Sequence, residues 1–174
     1  TEVDPLPAEA TSTTNWKQAD DDKPPGSLRP DVVRHFETAA QRQEWFRQWR
    51  DVCGWIREST QPTACFLTPR SQQTFKWYSH RSEVVNWKDV PQDAASLIAW
   101  HERWLDVHPP ENGAVGLLGQ TDAQLLALAE KYQADYLLVD RTRDQRPVSL
   151  PRLYPEFSQP GNLFEVYELS RPAQ

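Results

Sequence analysis

A capped helix that leads directly into an unbroken apolar strand is the feature that most constrains the fold of this chain. In TDAQLLALAEKY, residues 121 to 132, Thr121 and Gln124 have the spacing of a capping box, and apolar residues recur at helical intervals. The apolar segment YLLVD, residues 136 to 140, follows almost at once. An apolar run without alternation is typical of strands buried on both faces, as in parallel sheets covered by helices.

The other hydrophobic patterns extend this arrangement. They predict helices at 31 to 59 (beginning at Asp31), 71 to 78 and 93 to 107, and strands at 65 to 68, 83 to 87 and 163 to 169. Strands that alternate with helices predict an α/β fold, here a three-layer, Rossmann-like one with a mainly parallel sheet. We expect about four strands in the order 2-1-3-4, with the last strand antiparallel at the edge beside the third.

One hydrophobic core is expected on the inward faces of these elements. Its predicted members are Trp45, Trp49, Phe66, Val84, Val85, Leu97, Trp104, Leu125, Leu128, Leu138 and Val139. Cys53 and Cys65 fall on a predicted helix and a predicted strand, so two buried thiols are the default interpretation and a disulfide is the alternative.

The first 29 residues differ in composition from the rest. They are rich in Pro, Thr, Ser and Asp, carry six acidic against three basic residues, and lack hydrophobic periodicity. This composition predicts a disordered, acidic, proline-rich linker at residues 1 to 29, followed by a single domain at residues 30 to 174. Because the chain begins with Thr1 and contains no Met, we expect a piece of a longer protein or a processed form.

Several classes of function lack their sequence signatures. The chain has only six glycines, and they form no GxGxxG or GxxxxGK pattern, which argues against the usual nucleotide cofactors. No GxSxG motif and no metal-ligand spacing of His or Cys is present, so we predict no catalytic residue, no metal and no cofactor. A net charge of −6 argues against nucleic acid as a partner.

Polar and aromatic residues follow three predicted strands where each strand ends. They are Thr68 and Arg70 after the first, Trp87, Lys88 and Asp89 after the second, and Asp140 and Arg141 after the third, with His80 assigned to the same rim. Because the carboxyl ends of parallel strands meet at one sheet edge, we predict that Arg70, Lys88 and Arg141 lie in one cleft and bind an anionic group. Asp89 and Asp140 would orient them. The alternative is that these charges pair with one another or are solvated.

A longer pattern resembles a known group of proteins. The run WIREST…ACFLTPRSQQTFKWYSHRSEVVNWKDVP, then WHERW and KYQADYLLVDR, is similar to the soluble C-terminal domain of multi-pass membrane proteins of planctomycete-type bacteria, over residues 45 to 141. Some of those proteins look like polytopic glycosyltransferases that use lipid-linked sugars. The resemblance implies that the membrane domain of the same polypeptide is the partner, with an anionic lipid or lipid-linked sugar as a further one, on the periplasmic side.

The sequence therefore leaves two alternative functions for this chain. The first is a non-catalytic extramembrane domain that docks on its membrane domain and contacts an anionic or sugar-phosphate ligand. The second is a small stand-alone Rossmann-like enzyme that acts on an anionic substrate, with Asp89 or Asp140 as the acid or base.

Overall fold

The computed structural model describes residues 38–112, 116–157 and 159–169, so the predicted linker at residues 1 to 29 lies outside the described residues. Four helices and five strands make up the described fold. In chain order these are α1 (Ala39–Ser59), β1 (Cys65–Leu67), α2 (Phe75–Ser79), β2 (Ser82–Glu83), α3 (Ala94–Val107), α4 (Asp122–Tyr132), β3 (Tyr136–Asp140), β4 (Arg152–Tyr154) and β5 (Phe164–Glu168). Short 3-10 turns at Pro110–Asn112 and Leu117–Gly119 lie between α3 and α4.

The strands form one mixed sheet in the order β2-β1-β3-β5-β4. β1 is parallel to both β2 and β3, whereas β5 is antiparallel to β3 and to β4. The α/β class is confirmed, but the predicted strand number and order are wrong. The missing strand is β4, whose three residues are too few for a periodic pattern, and it displaces β5 from the predicted edge position.

Hydrophobic residues pack on both faces of the sheet, in two clusters rather than the single core predicted. On one face α1 and α2 cover the sheet, with Trp49 and Phe66 among the fully buried side chains. On the other face α3 and α4 cover it, with Trp104 and Leu125 in the cluster. The two-residue period of a strand divides β3 between them, since Leu138 belongs to the first cluster and its neighbours on either side to the second.

Helix starts follow the capping rules. The predicted box at α4 is confirmed, with Gln124 N donating to Thr121 Oγ1 at 3.3 Å. A second box begins α1, where Gln41 N donates to Thr38 Oγ1 at 3.2 Å. Thr38 therefore caps α1 at Ala39, and the predicted start at Asp31 lies outside the described residues.

Leu97, which we predicted in the core, is 41% exposed. The buried side of α3 is formed by Trp100, Trp104 and Val107, at positions i, i+4 and i+7, so the first turn of the helix stays outside the cluster. Ile98 is 62% exposed beside it.

Two further features of the fold concern the cysteines and the apolar content of the helices. Cys53 and Cys65 are both free thiols; Cys53 is buried and Cys65 half-buried, and burial raises the pKa of each. Among the helices of the described residues, none is long and apolar enough to cross a bilayer.

Candidate functional site

A pocket of about 300 Å³ opens where β2 ends. Its wall comes from α2, from the segment that follows β2 and from one side of α3. The lining residues are Lys76, Glu83, Val84, Val85, Asn86, Asp89, Pro91, Ser96, Ala99, Trp100 and Arg103. Acidic, basic, amide and indole groups therefore face one small volume, which is the composition expected of a site for a small polar ligand.

Glu83 is the most unusual group in this pocket. The residue is 8% exposed, and its two carboxyl oxygens accept hydrogen bonds from Thr68 Oγ1 at 2.7 Å and from Asn86 Nδ2 at 2.9 Å. Burial raises the pKa of Glu83, and the two hydrogen bonds oppose that rise. Each oxygen of an ionised carboxyl can accept two hydrogen bonds, so each keeps acceptor capacity for a ligand.

Parallel pairing brings Glu83 and Thr68 together. Phe66 of β1 lies opposite Glu83 of β2, and Val84 N donates to Phe66 O at 2.9 Å, which continues the ladder past the end of β2. Thr68 follows β1 directly, so its hydroxyl lies beside the last residue of β2. Two positions that are 15 residues apart in sequence thus form one buried hydrogen bond.

Asn86 connects Glu83 to the surrounding segments through hydrogen bonds. Its Nδ2 also donates to Gln72 O at 3.0 Å, its Oδ1 accepts from Lys88 N at 2.9 Å, and its backbone oxygen accepts from Trp100 Nε1 at 3.0 Å. The side-chain amide is therefore oriented by Gln72, Glu83 and Lys88, and the Trp100 bond fixes the backbone of Asn86, so the donor that Asn86 presents to Glu83 is held in place before any ligand arrives.

An ion pair lies at the mouth of the pocket. Lys76 of α2 and Asp89 of the β2–α3 segment are in direct contact, and both side chains are about half exposed. On the opposite wall, Arg103 Nη1 donates to Val84 O at 3.3 Å. A solvent-exposed pair of this kind contributes little stability, so the lysine and the aspartate can exchange partners when a ligand enters.

The residues predicted for the rim are distributed unevenly. Asp89 lines the pocket, Thr68 is buried behind it and donates to Glu83, and Trp87 packs half-buried against the α3 and α4 cluster. Lys88 is exposed next to Asp89. Arg70 is half-buried with its guanidinium 5.6 Å from the ring centroid of Trp104.

The assignment of His80 to this rim is wrong. His80 is the exposed C-cap residue that follows α2, with a φ of 54°, and it precedes β2. Because Ser82 pairs in parallel with Cys65 at the start of β1, His80 lies at the amino end of the strands, away from Thr68.

Asp140 is the last residue of β3 and Arg141 follows it, and both side chains bind to nearby residues of the loop and of β5. Asp140 is 1% exposed and its Oδ1 accepts from Thr142 N at 3.0 Å and Thr142 Oγ1 at 2.6 Å. The guanidinium of Arg141 pairs with Glu165 of β5 and donates to Tyr167 Oη at 2.6 Å. These contacts join the end of β3 to β5, which leaves the arginine a structural role in the sheet.

Sequence reasoning missed Glu83 and Asn86, the two residues that organise the pocket. Glu83 precedes the apolar pair Val84 and Val85, where a charged residue normally marks a solvated strand end. Its only signal was its place in the predicted parallel strand beside Thr68, and that signal does not reveal burial.

A second cavity, of about 520 Å³, lies at the other end of the strands, where β1 and β3 begin and β5 ends. Asp135 and Glu168 line it, and Asp135 Oδ2 accepts from Cys65 N at 2.9 Å. In the described part of the chain, no cluster of three or more His, Cys, Asp or Glu side chains could hold a metal ion.

One comparison with known proteins bears on the pocket. A family model described as a domain of unknown function (DUF6798) matches residues 47–107. No curated protein and no solved structure matches the chain. The matched segment runs from α1 to the last residue of α3 and contains every residue that lines the Glu83 pocket. The pocket thus belongs to the part of the chain that is similar to the family.

Proposed function

We propose that this chain is a non-catalytic binding domain that takes a small hydroxyl-bearing ligand, of the sugar or sugar-phosphate class, in the Glu83 pocket. The observation that carries the proposal is the buried Glu83 carboxyl, held by Thr68 and Asn86 and open to the pocket. Sugar hydroxyls are hydrogen-bond donors as well as acceptors, so a fixed carboxyl and a fixed amide suit them.

The charges at the mouth fit a ligand that carries an anionic group. Lys76 and Arg103 line the pocket, and the ion pair between Lys76 and Asp89 is exposed. An anionic substituent would attract Lys76, while Asp89 would accept a hydrogen bond from a hydroxyl group of the ligand. This exchange replaces one weak surface pair by charge-assisted hydrogen bonds, which are the stronger kind.

The proposed setting is the extramembrane part of a larger membrane protein. The similarity of residues 45 to 141 to the soluble C-terminal domain of multi-pass, glycosyltransferase-like membrane proteins supports it. In that setting the domain faces the periplasm, docks on the membrane domain of its own polypeptide, and contacts an anionic or lipid-linked sugar.

The second candidate is a small stand-alone enzyme of Rossmann-like form acting on an anionic substrate. One observation favours it, because burial raises the pKa of Glu83, as is common for a carboxyl that acts as acid or base. Under this alternative Glu83 replaces Asp89 or Asp140 as the proton-transfer group.

Calorimetric titration with glucose, glucose 1-phosphate and inorganic phosphate tests the first candidate. Binding of a sugar probe should weaken at least about tenfold in Glu83→Gln, which removes the charge of the acceptor. Ala99→Phe should abolish binding by filling the pocket, since Ala99 is exposed and lines it.

Ala95→Phe is the matched control, because Ala95 is equally exposed on the same helix and lies outside the pocket lining. Equal affinity in Ala99→Phe and Ala95→Phe would overturn the proposal. Turnover of a sugar phosphate by the wild type, lost in Glu83→Gln, would favour the enzyme instead.

A further inference from the structure

A second polar cluster lies outside the Glu83 pocket, where the loop after β1 meets the end of α3. Trp104 is at its centre. The Arg70 guanidinium lies 5.6 Å from the Trp104 ring centroid, and the rings of Trp104 and His108 are 4.6 Å apart. Two basic side chains from separate elements therefore pack on one indole ring.

Neither basic side chain has a partner that satisfies it. Within the described residues, Arg70 forms no ion pair and no side-chain hydrogen bond, although it is half-buried. His108 is 5% exposed, and its ring nitrogens make no hydrogen bond to any described residue. None of the nitrogens of Arg70 or His108 is among the fully buried, unbonded polar atoms of the described residues, so these donors remain accessible to a ligand.

We infer that Arg70 and His108 form a binding site for a phosphate group, either inorganic phosphate or the phosphoryl group of an ester. Arg70 would supply the planar pair of N–H donors that matches two phosphate oxygens. His108 would donate from one ring nitrogen to a third oxygen. Trp104 holds both side chains in position through its two ring contacts. The inference goes beyond the Glu83 pocket and does not require that a sugar bind there.

The electrostatics of the free protein agree with this assignment. Burial, and then the charge of Arg70, lower the pKa of His108 to about 3. A bound phosphate would offset both influences, since an anion beside the ring stabilises the imidazolium.

NMR titration of the whole chain in a phosphate-free buffer tests the inference. Inorganic phosphate and glucose 1-phosphate should shift the His108 ring and Trp104 indole signals with saturation, whereas glucose and chloride should not. Arg70→Ala should weaken phosphate binding by about tenfold or more, the usual loss for a charge-assisted contact. His108→Gln keeps an N–H donor and should weaken it less.

Arg42→Ala is the control, because Arg42 is an exposed arginine on α1 and leaves the affinity within about twofold. If His108→Gln does not fold, the Arg70→Ala and Arg42→Ala pair still decides the matter. No saturable shift at about 20 mM phosphate, or equal affinity in Arg70→Ala and the wild type, would overturn the site. Glucose binding that survives this outcome leaves the Glu83 pocket standing, so the two proposals fail separately.

Discussion

The Arg81 guanidinium donates to the carbonyl oxygen of Thr60 at 2.8 Å, directly after the last turn of α1. It also donates to Arg57 O at 2.5 Å and to Thr60 Oγ1 at 3.0 Å, although Arg81 is only 8% exposed. The last carbonyls of a helix lack partners within the helix, and a cation there also complements the helix dipole. The side chain of Arg81, which directly precedes β2, therefore caps the C-terminal end of α1.

Replacing Arg81 by Ala should destabilise the fold by about 1 to 3 kcal/mol, because the partly buried carbonyl oxygens of Arg57 and Thr60 lose their donor. Arg81→Lys should lose less, since an ammonium still reaches one carbonyl but lacks the planar fork of donors. Urea unfolding followed by tryptophan fluorescence measures both. Arg42→Ala on the exposed side of α1 should change the free energy of unfolding by less than about 0.5 kcal/mol. A similar value for Arg81→Ala would contradict the capping role.

Leu138 and Leu97 give a matched pair of leucines. Leu138 is fully buried in β3, whereas Leu97 is 41% exposed on α3. Leu138→Ala should cost about 2 to 5 kcal/mol through the lost transfer energy and the cavity left behind. Leu97→Ala should stay within about 0.5 kcal/mol of the wild type. Equal losses in chemical denaturation would mean that the first turn of α3 is covered in solution.

Two glycines should respond in opposite directions to alanine. A Cβ at Gly116 would lie 2.5 Å from Asp144 Oδ2, whereas a Cβ at Gly54, inside α1, meets nothing within 4 Å. Gly116→Ala should therefore lower the melting temperature, because Asp144 is 1% exposed and has little room to move. Gly54→Ala should raise the stability by about 0.5 to 1 kcal/mol through helix propensity. Thermal unfolding that moves both variants the same way would contradict this.

Elements that are marked by a local sequence pattern could be predicted, whereas those that depend on pairing with distant segments could not. YLLVD was predictable as β3 because an unbroken apolar strand after a capped helix has few alternative folds. β4 was not, since Arg152–Tyr154 is an isolated three-residue strand whose only support is its pairing with β5. Glu83 was not predictable as buried, because its two hydrogen-bond donors come from other segments that the parallel ladder brings beside it.

The different roles of three arginines also depend on contacts with distant segments. Arg70, Arg81 and Arg141 look alike in sequence, as basic residues next to predicted strands. In the fold Arg81 caps a helix, Arg141 joins β3 to β5, and Arg70 lies on Trp104 with no acidic partner among the described residues. Which role each arginine takes depends on acceptors supplied by distant segments, and local pattern contains no information about those.

The stability of this fold should depend on pH through Glu83. Because its pKa is raised in the folded state, the folded protein binds its proton more tightly than the unfolded chain does. The stability that this proton contributes is present below the unfolded value, about 4.5, and is lost as the pH rises through the folded value. Glu83→Gln, which stays neutral, should therefore gain stability relative to the wild type as the pH rises.

Urea midpoints of the wild type and Glu83→Gln at about pH 4 and about pH 7.5, below and above the unfolded value, measure this change. The contributions of the other titrating groups cancel in the difference between the two proteins, so the pH dependence of that difference is due to Glu83. A difference that stays constant would mean that the hydrogen bonds from Thr68 and Asn86 offset burial, and one that favours the wild type more at the higher pH would mean that they outweigh it. In either case Glu83 would be ionised near neutral pH, suited to accepting hydrogen bonds from hydroxyl groups and unsuited to transferring a proton there.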